Sequence, residues 1–183
     1  MPTQRIKKIV VIGPESTGKS YLCESLSKHY HTIWCPEYAR EYLLSNGTNY
    51  THDDLLTIAK GQIQLEEDLV RQINAADKLI PYFIDTNMYV MKVWNEFVFQ
   101  QCHKFILDQI VHRQYDAYLL CKPDIPWVKD ELREYPDEAT RNRLYHYYKD
   151  AMTHQYLPWV EISGNYQQRL EMAIRFTDSL LSL

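Results

Sequence analysis

The sequence predicts a three-layer α/β domain in which a parallel sheet is covered by helices on both faces. Three observations carry that expectation. Short apolar runs alternate with longer helical patterns along the 183 residues, one run leads straight into a glycine-bounded loop and a helix, and no Gly/Ser linker, repeat or low-complexity tract divides the chain. Strands that alternate with helices imply right-handed crossovers and a sheet buried on both sides. At this length one domain, residues 1–183, is expected.

The elements follow in order. Residues 6–12 form the first run, ending in the apolar Ile9-Val10-Val11-Ile12. A helix over 20–29 comes next, then a run at 32–35 and a helix over 37–45. Thr51 with Asp54 three residues on marks the start of a helix reaching from about 53 to 77. The third run, 79–84, precedes one long helical segment over 88–114. Runs at 118–121 and 157–162 flank a helix over 137–154. Asn165 with Gln168 opens a last helix, with Leu170, Ile174 and Leu181 on one stripe.

Composition narrows the function classes. The apolar and charged fractions, 45% and 24%, are those of an ordinary soluble protein, and a net charge of −4 argues against a nucleic-acid face. No stretch approaches the roughly 20 apolar residues of a membrane span, and the polar start Met1-Pro2-Thr3-Gln4-Arg5 does not resemble a signal peptide. The four cysteines, Cys23, Cys35, Cys102 and Cys121, have no C-x-x-C spacing, so free thiols and a cytoplasmic setting are the simplest account. The scattered histidines give no zinc pattern. A homo-oligomer is compatible with all of this.

The chemistry concentrates in Gly13-Pro14-Glu15-Ser16-Thr17-Gly18-Lys19-Ser20, which fits G-x-x-x-x-G-K-[ST] between a strand and a helix. The glycines let several backbone N–H groups point inward, and the helix N-terminus adds positive potential. Residues 13–20 with Tyr21 are therefore the expected ATP site, with Lys19 on the terminal phosphates and Ser20 on a Mg²⁺ ion.

In an α/β sheet ligands bind beyond the carboxyl ends of the strands. The third run ends in Asp85-Thr86-Asn87, where Asp85 can hold the Mg²⁺ side of the site or accept a proton, or else cap the helix that follows. After the second run, Glu37 and Arg40 stand one helical turn apart, able to grip a sugar diol or to form an idle ion pair. Among 15 tyrosines and four tryptophans, Tyr38, Tyr89, Trp94 and Trp127 lie near strand ends and could stack on a flat ring. The Pro- and charge-rich stretch from Pro123 to Arg133, before Arg141 and Arg143, reads equally as a lid or as a plain surface connection.

At this point the chain resembles the nicotinamide riboside kinase domain of the NadR proteins. The matching pieces run in order: the phosphate loop; Pro36-Glu37-Tyr38-Ala39-Arg40-Glu41-Tyr42; Ile58-Ala59-Lys60-Gly61-Gln62; Asp85-Thr86-Asn87 with Lys92-Val93-Trp94; Pro123-Asp124-Ile125-Pro126-Trp127 with Leu132-Arg133-Glu134; and Ile162-Ser163-Gly164 with Tyr166. The resemblance implies a P-loop kinase fold with strand order 2-3-1-4-5 and a lid over roughly residues 127–145. It implies transfer of the ATP γ-phosphate to the 5′-hydroxyl of nicotinamide riboside, with Lys19, Asp85, Glu37 and Arg133 catalytic. Ser20 and Asp85 would hold Mg²⁺, and Glu37, Tyr38, Arg40, Asn87 and Trp94 would contact the nucleoside. Either Asp85 or Glu37 would act as base. The chain has no H-x-G-H element and leaves no room for the adenylyltransferase or helix-turn-helix modules of multifunctional relatives. The rival readings are a kinase for another nucleoside or small metabolite, and a nucleotide-binding regulatory protein without kinase activity.

Overall fold

Five strands build one parallel sheet in the order β2-β3-β1-β4-β5: β1 (Ile6–Ile12), β2 (Trp34–Cys35), β3 (Ile80–Asp85), β4 (Ala117–Cys121) and β5 (Trp159–Ile162). The order is the one the resemblance implies. A computed structural model describes residues 6–73 and 79–182. The central strand alternates between two cores. Val10 and Ile12 join Tyr82, Ile84, Tyr118 and Leu120 on one face, while Ile9 and Val11 join Phe83, Leu119 and Cys121 on the other. Both faces being buried explains why Ile9–Ile12 of β1 and all of β4 read as unbroken apolar runs.

Helices α1 (Lys19–Tyr30) and α7 (Tyr166–Leu181) cover the face of Ile9 and Val11 through Leu22, Cys23, Leu26 and Ala173. Helices α4 (Met88–Phe99) and α6 (Glu138–His154) cover the other through Val90, Val93, Leu144, Tyr148 and Met152. A third core joins α2 (Tyr38–Asn46), α3 (His52–Val70), α4 and α5 (Lys104–His112) around Leu43, Leu55, Ile58, Met91 and Ile106. Both expected capping boxes form, Thr51 with Asp54 and Asn165 with Gln168.

Three expectations need correcting. The segment 88–114 is two helices, because Gln100 turns left-handed (φ 56°) to close α4 and His103 starts α5. Helix α3 stops at Val70, and the rest of its expected span falls partly on residues 74–78, outside the described residues. On α7 the buried line is Arg169, Ala173 and Thr177, with Leu170 and Ile174 beside it and Leu181 outside the core. The cysteines are free, three of them buried and Cys102 half-buried. Among the described residues no helix is long and apolar enough to cross a membrane.

Candidate active site

The phosphate loop is shaped by close approach as much as by motif. At Gly13 (φ 143°) a Cβ would stand 2.6 Å from the Cys121 carbonyl oxygen, so β4 leaves no room for any other residue. At Gly18 (φ 76°) the Tyr166 ring would be 3.2 Å away, and the left-handed backbone itself favours glycine. Ser16 also turns left-handed, at φ 55°. The Thr17 hydroxyl donates to the Pro14 carbonyl at 2.8 Å, as does Lys19 Nζ at 2.8 Å. Beneath the loop, buried Arg169 donates to the carbonyls of Thr17 (3.0 Å), Lys122 (2.9 Å) and Gly164 (2.7 Å) and to the Asp124 carboxylate. Tyr166 meets Tyr21 edge to face, with ring centres 4.8 Å apart.

Asp85 is 0% exposed at the end of β3, paired in register with Val11. Its Oδ2 accepts from the Ser20 hydroxyl at 2.5 Å, and its Oδ1 is buried without a partner. Burial first, and then the negative charge of Glu37, push the Asp85 carboxyl up to about 6 against the pull of Lys19 and the hydroxyls of Ser20 and Thr86. A buried oxygen with no donor beside a hydroxyl of the phosphate loop is the donor set a hard divalent cation takes, so Ser20 and Asp85 fit Mg²⁺. Thr86 holds a left-handed backbone (φ 77°), a strained choice for a β-branched residue, and its hydroxyl donates to Glu37 Oε1 at 3.4 Å.

Ser20 and Glu37 face a cavity of about 410 Å³, lined by the whole phosphate loop, Tyr21, Glu37, Arg40, Trp94 and Arg133. Trp34, Phe97, Leu144 and Tyr148 complete its apolar wall. Across it, residues 126–137 form an irregular crossing segment ahead of α6, so the second half of the expected lid is helix. Arg40 makes a two-pronged pair with Asp130 of that segment, both contacts at 3.1 Å. Trp94 Nε1 donates to the Tyr50 hydroxyl at 2.9 Å, which donates to Glu134 at 2.9 Å. Arg133 lines the cavity and donates to the Val128 carbonyl.

Two expected nucleoside contacts lie elsewhere. The Tyr38 ring packs on Gly61, where a Cβ would sit 2.1 Å from it, and Tyr38 takes no part in the cavity wall. Asn87 is buried as the N-cap of α4, accepting from Tyr89 N at 3.0 Å and donating to the Tyr118 hydroxyl at 3.3 Å. Asn is a strong N-cap, and that need has claimed its side chain. Asp85 stands behind Ser20, outside the cavity lining, whereas Glu37 lines the cavity itself. Of the later arginines, Arg143 stacks on Phe97, its guanidinium carbon 4.9 Å from the ring centre, and Arg141 is buried with Nε and Nη1 unpaired. Outside the cavity, His52 and His103 stack at 3.7 Å near Asp53, with His103 Nε2 held 2.9 Å from the His52 carbonyl oxygen.

The family described as an AAA domain matches residues 8–169. The chain belongs to this AAA domain family. It is also homologous to NadR: the trifunctional NAD biosynthesis/regulator protein NadR of Escherichia coli K12 is 27% identical over 143 residues, which are 76% of this chain and 34% of that protein. Crystal structures of NadR protein in complex with NR, and with NAD and AMP-PNP, superpose with TM-scores of 0.75 and 0.73 at 21% identity. They cover 97% of this chain and 51% and 50% of those chains, so the chain spans between about a third and about half of the length of its NadR relatives. Thymidylate kinase from Ehrlichia chaffeensis has the same fold, with a TM-score of 0.64 at 12% identity over 94% of this chain and 98% of that one. The AAA domain here thus has the fold of the P-loop kinases.

Proposed function

We propose that the chain is a P-loop kinase that transfers the γ-phosphate of ATP to the 5′-hydroxyl of nicotinamide riboside, giving the mononucleotide. One observation carries the reading: a single cavity joins the phosphate loop, with Lys19 and Ser20, to a wall of carboxylate and aromatic groups led by Glu37 and Trp94. The homologue NadR, crystallised with NR and with AMP-PNP, supports the choice of nucleoside and nucleotide.

In this reading the loop amides and Lys19 bind the β- and γ-phosphates, which requires Lys19 to leave the Pro14 carbonyl. Ser20 and Asp85 hold Mg²⁺, which when bound offsets the negative charge of the phosphates. Glu37 takes the proton of the 5′-hydroxyl, because it lines the cavity whereas Asp85 stands behind Ser20. The acceptor oxygen then bonds to the γ-phosphorus as the bond to the β–γ bridging oxygen breaks, and ADP leaves. Arg133 turns from the Val128 carbonyl to the moving phosphoryl group. The nicotinamide ring is cationic, so Trp94, Phe97 and the carboxylates of Glu37 and Glu134 favour it over a neutral base.

The test is ADP formation by the purified chain with ATP, Mg²⁺ and a panel of nucleosides, with each product identified by mass. Cation–π attraction of about 0.5–2 kcal/mol gives a preference of a few-fold to some thirty-fold over uridine or cytidine. Comparable kcat/KM for uridine and nicotinamide riboside would leave a kinase and remove the NAD-salvage role. Stabilisation by ATP with no nucleoside effect on Tm and no turnover would favour a regulatory nucleotide-binding protein.

A further inference from the structure

One acidic side chain of the phosphate loop carries the segment that crosses the cavity. Glu15 Oε1 accepts from Trp127 Nε1 at 3.1 Å and from Tyr135 N at 2.8 Å, and Oε2 accepts from Glu134 N at 2.9 Å. Beside it, the Ser16 hydroxyl accepts from Val128 N at 3.0 Å. These bonds grip the crossing segment at both ends, at Trp127 and Val128 and again at Glu134 and Tyr135. Arg133 lies within the gripped stretch, adjacent to Glu134, and lines the cavity.

A carboxylate is an odd choice in a loop built to receive a polyanion, since like charges repel. The three N–H donors account for it. They draw the charge away from the phosphate side and gain charge-assisted hydrogen bonds that a neutral side chain could not give. Backbone amides at Glu134 and Tyr135 have no helix or sheet partner, so Glu15 supplies what secondary structure does not.

We propose that Glu15 is a positioning residue that fastens the crossing segment to the phosphate loop and so sets where Arg133 stands relative to the phosphates. The proposal rests on the kinase reading for the role of Arg133, and on geometry alone for the fastening. Any shift of the loop as phosphates bind is passed through Glu15 to the residue next to Arg133, which ties the placement of that cation to occupancy of the loop.

The test uses Glu15→Gln and Arg133→Ala, singly and together, in the full chain. Glutamine keeps the size but turns an N–H donor toward donors, so at least one lid amide loses its acceptor. The expected result is a kcat about tenfold lower with KM for ATP changed by less than about threefold. Hydrogen exchange at whichever of the Glu134 and Tyr135 amides loses its acceptor should quicken by about tenfold while the β1 amides stay protected. In the Arg133→Ala background, Glu15→Gln should lower kcat by less than about twofold, because the two residues act as one unit. An equal loss in both backgrounds, or unchanged exchange at Glu134 and Tyr135, overturns the proposal. Should Glu15→Gln not fold, Glu15→Asp draws the carboxylate back by one methylene and should quicken the same amides, and unchanged exchange there overturns it equally. Exchange needs no substrate. A chain that phosphorylates no nucleoside therefore defeats the kinase reading, while the exchange result still decides the fastening.

Discussion

The two walls of the cavity are held by different means. The phosphate loop rests on buried groups: Thr17 is 1% exposed, Asp85 0% and Arg169 2%. The crossing segment opposite hangs on side chains of Glu15, Ser16, Arg40 and Tyr50, with Val128 57% exposed between them. Its apolar anchors are few, chiefly Leu132 and Tyr135. Backbone hydrogen bonds near solvent with little burial beneath them open at low free-energy cost, whereas buried networks open only with the core. The contrast suits a kinase, in which the phosphate cradle is pre-formed and the opposite wall must admit and release ligands.

The largest expected effect lies on the buried wall. Lys19→Ala should lower kcat by about 10²–10³-fold, as loss of one preorganised charge donor does elsewhere. The fold should survive, since Lys19 is bonded to one loop carbonyl and not to the core. Turnover above a tenth of the parent, measured as ADP release, would sink the assignment of the loop to phosphate binding. Arg169→Ala on the same wall should be dear in stability instead. It strips the carbonyls of Thr17, Lys122 and Gly164 of their donor and leaves Asp124 with only the Gly164 N–H, a loss of roughly 3 kcal/mol. The midpoint of urea unfolding measures it, and a shift below about 1 kcal/mol would mean that water replaces the guanidinium.

Asp85 allows a test in which stability and activity move in opposite directions with pH. Its folded pKa is raised to about 6 by burial and by Glu37, above the ordinary value of 3.8. The native chain thus keeps the Asp85 proton to a higher pH than the unfolded chain. The resulting stability is fully present below the unfolded value and is lost as pH rises from about 4 through about 6. Catalysis needs the carboxylate, which a bound Mg²⁺ would favour, so kcat should fall only as pH drops below the value of the metal-free group. With Mg²⁺ chelated, unfolding midpoints at pH 4.5 and 7 should show the parent gaining on Asp85→Asn at the lower pH. Parallel shifts in the two proteins would place the pH dependence on other groups.

The two walls also differ in how far the sequence reveals them. The phosphate loop is contiguous, and its glycines are forced by backbone angles and by the Cys121 carbonyl, so eight residues in a row announce it. Glu37, Arg40, Trp94 and Arg133 were legible as cavity residues from their places after strands and from the family likeness. Trp34, Phe97, Leu144 and Tyr148 were not, because they come from three separate stretches and look like any core aromatic or leucine until β2, α4 and α6 meet. Asn87 shows the limit of a local signal: a cap and a ligand are the same residue type at the same strand end, and only the bond to Tyr89 N separates them. Gln100 ended α4 with neither glycine nor proline to mark it. Glu15 stands out in the sequence only as a loop residue, because its partners lie more than a hundred positions later.

The smallest effects concern Tyr38, which follows Glu37 and looked like a stacking partner for the substrate. Its ring lies on Gly61, and its backbone N–H donates to Gln62 at 2.7 Å, so its work is to seat α2 on α3. Gly61→Ala would press a methyl group into the ring at 2.1 Å and should cost about 1–3 kcal/mol, the usual range for overpacking. Tyr38→Phe keeps the ring and its seat and removes only the hydroxyl. It should therefore change kcat/KM for nicotinamide riboside by less than about twofold, below the roughly 1 kcal/mol of a lost hydrogen bond. A tenfold loss with unchanged Tm would return Tyr38 to the substrate, and would mean that α2 rotates its hydroxyl toward the cavity when the nucleoside binds.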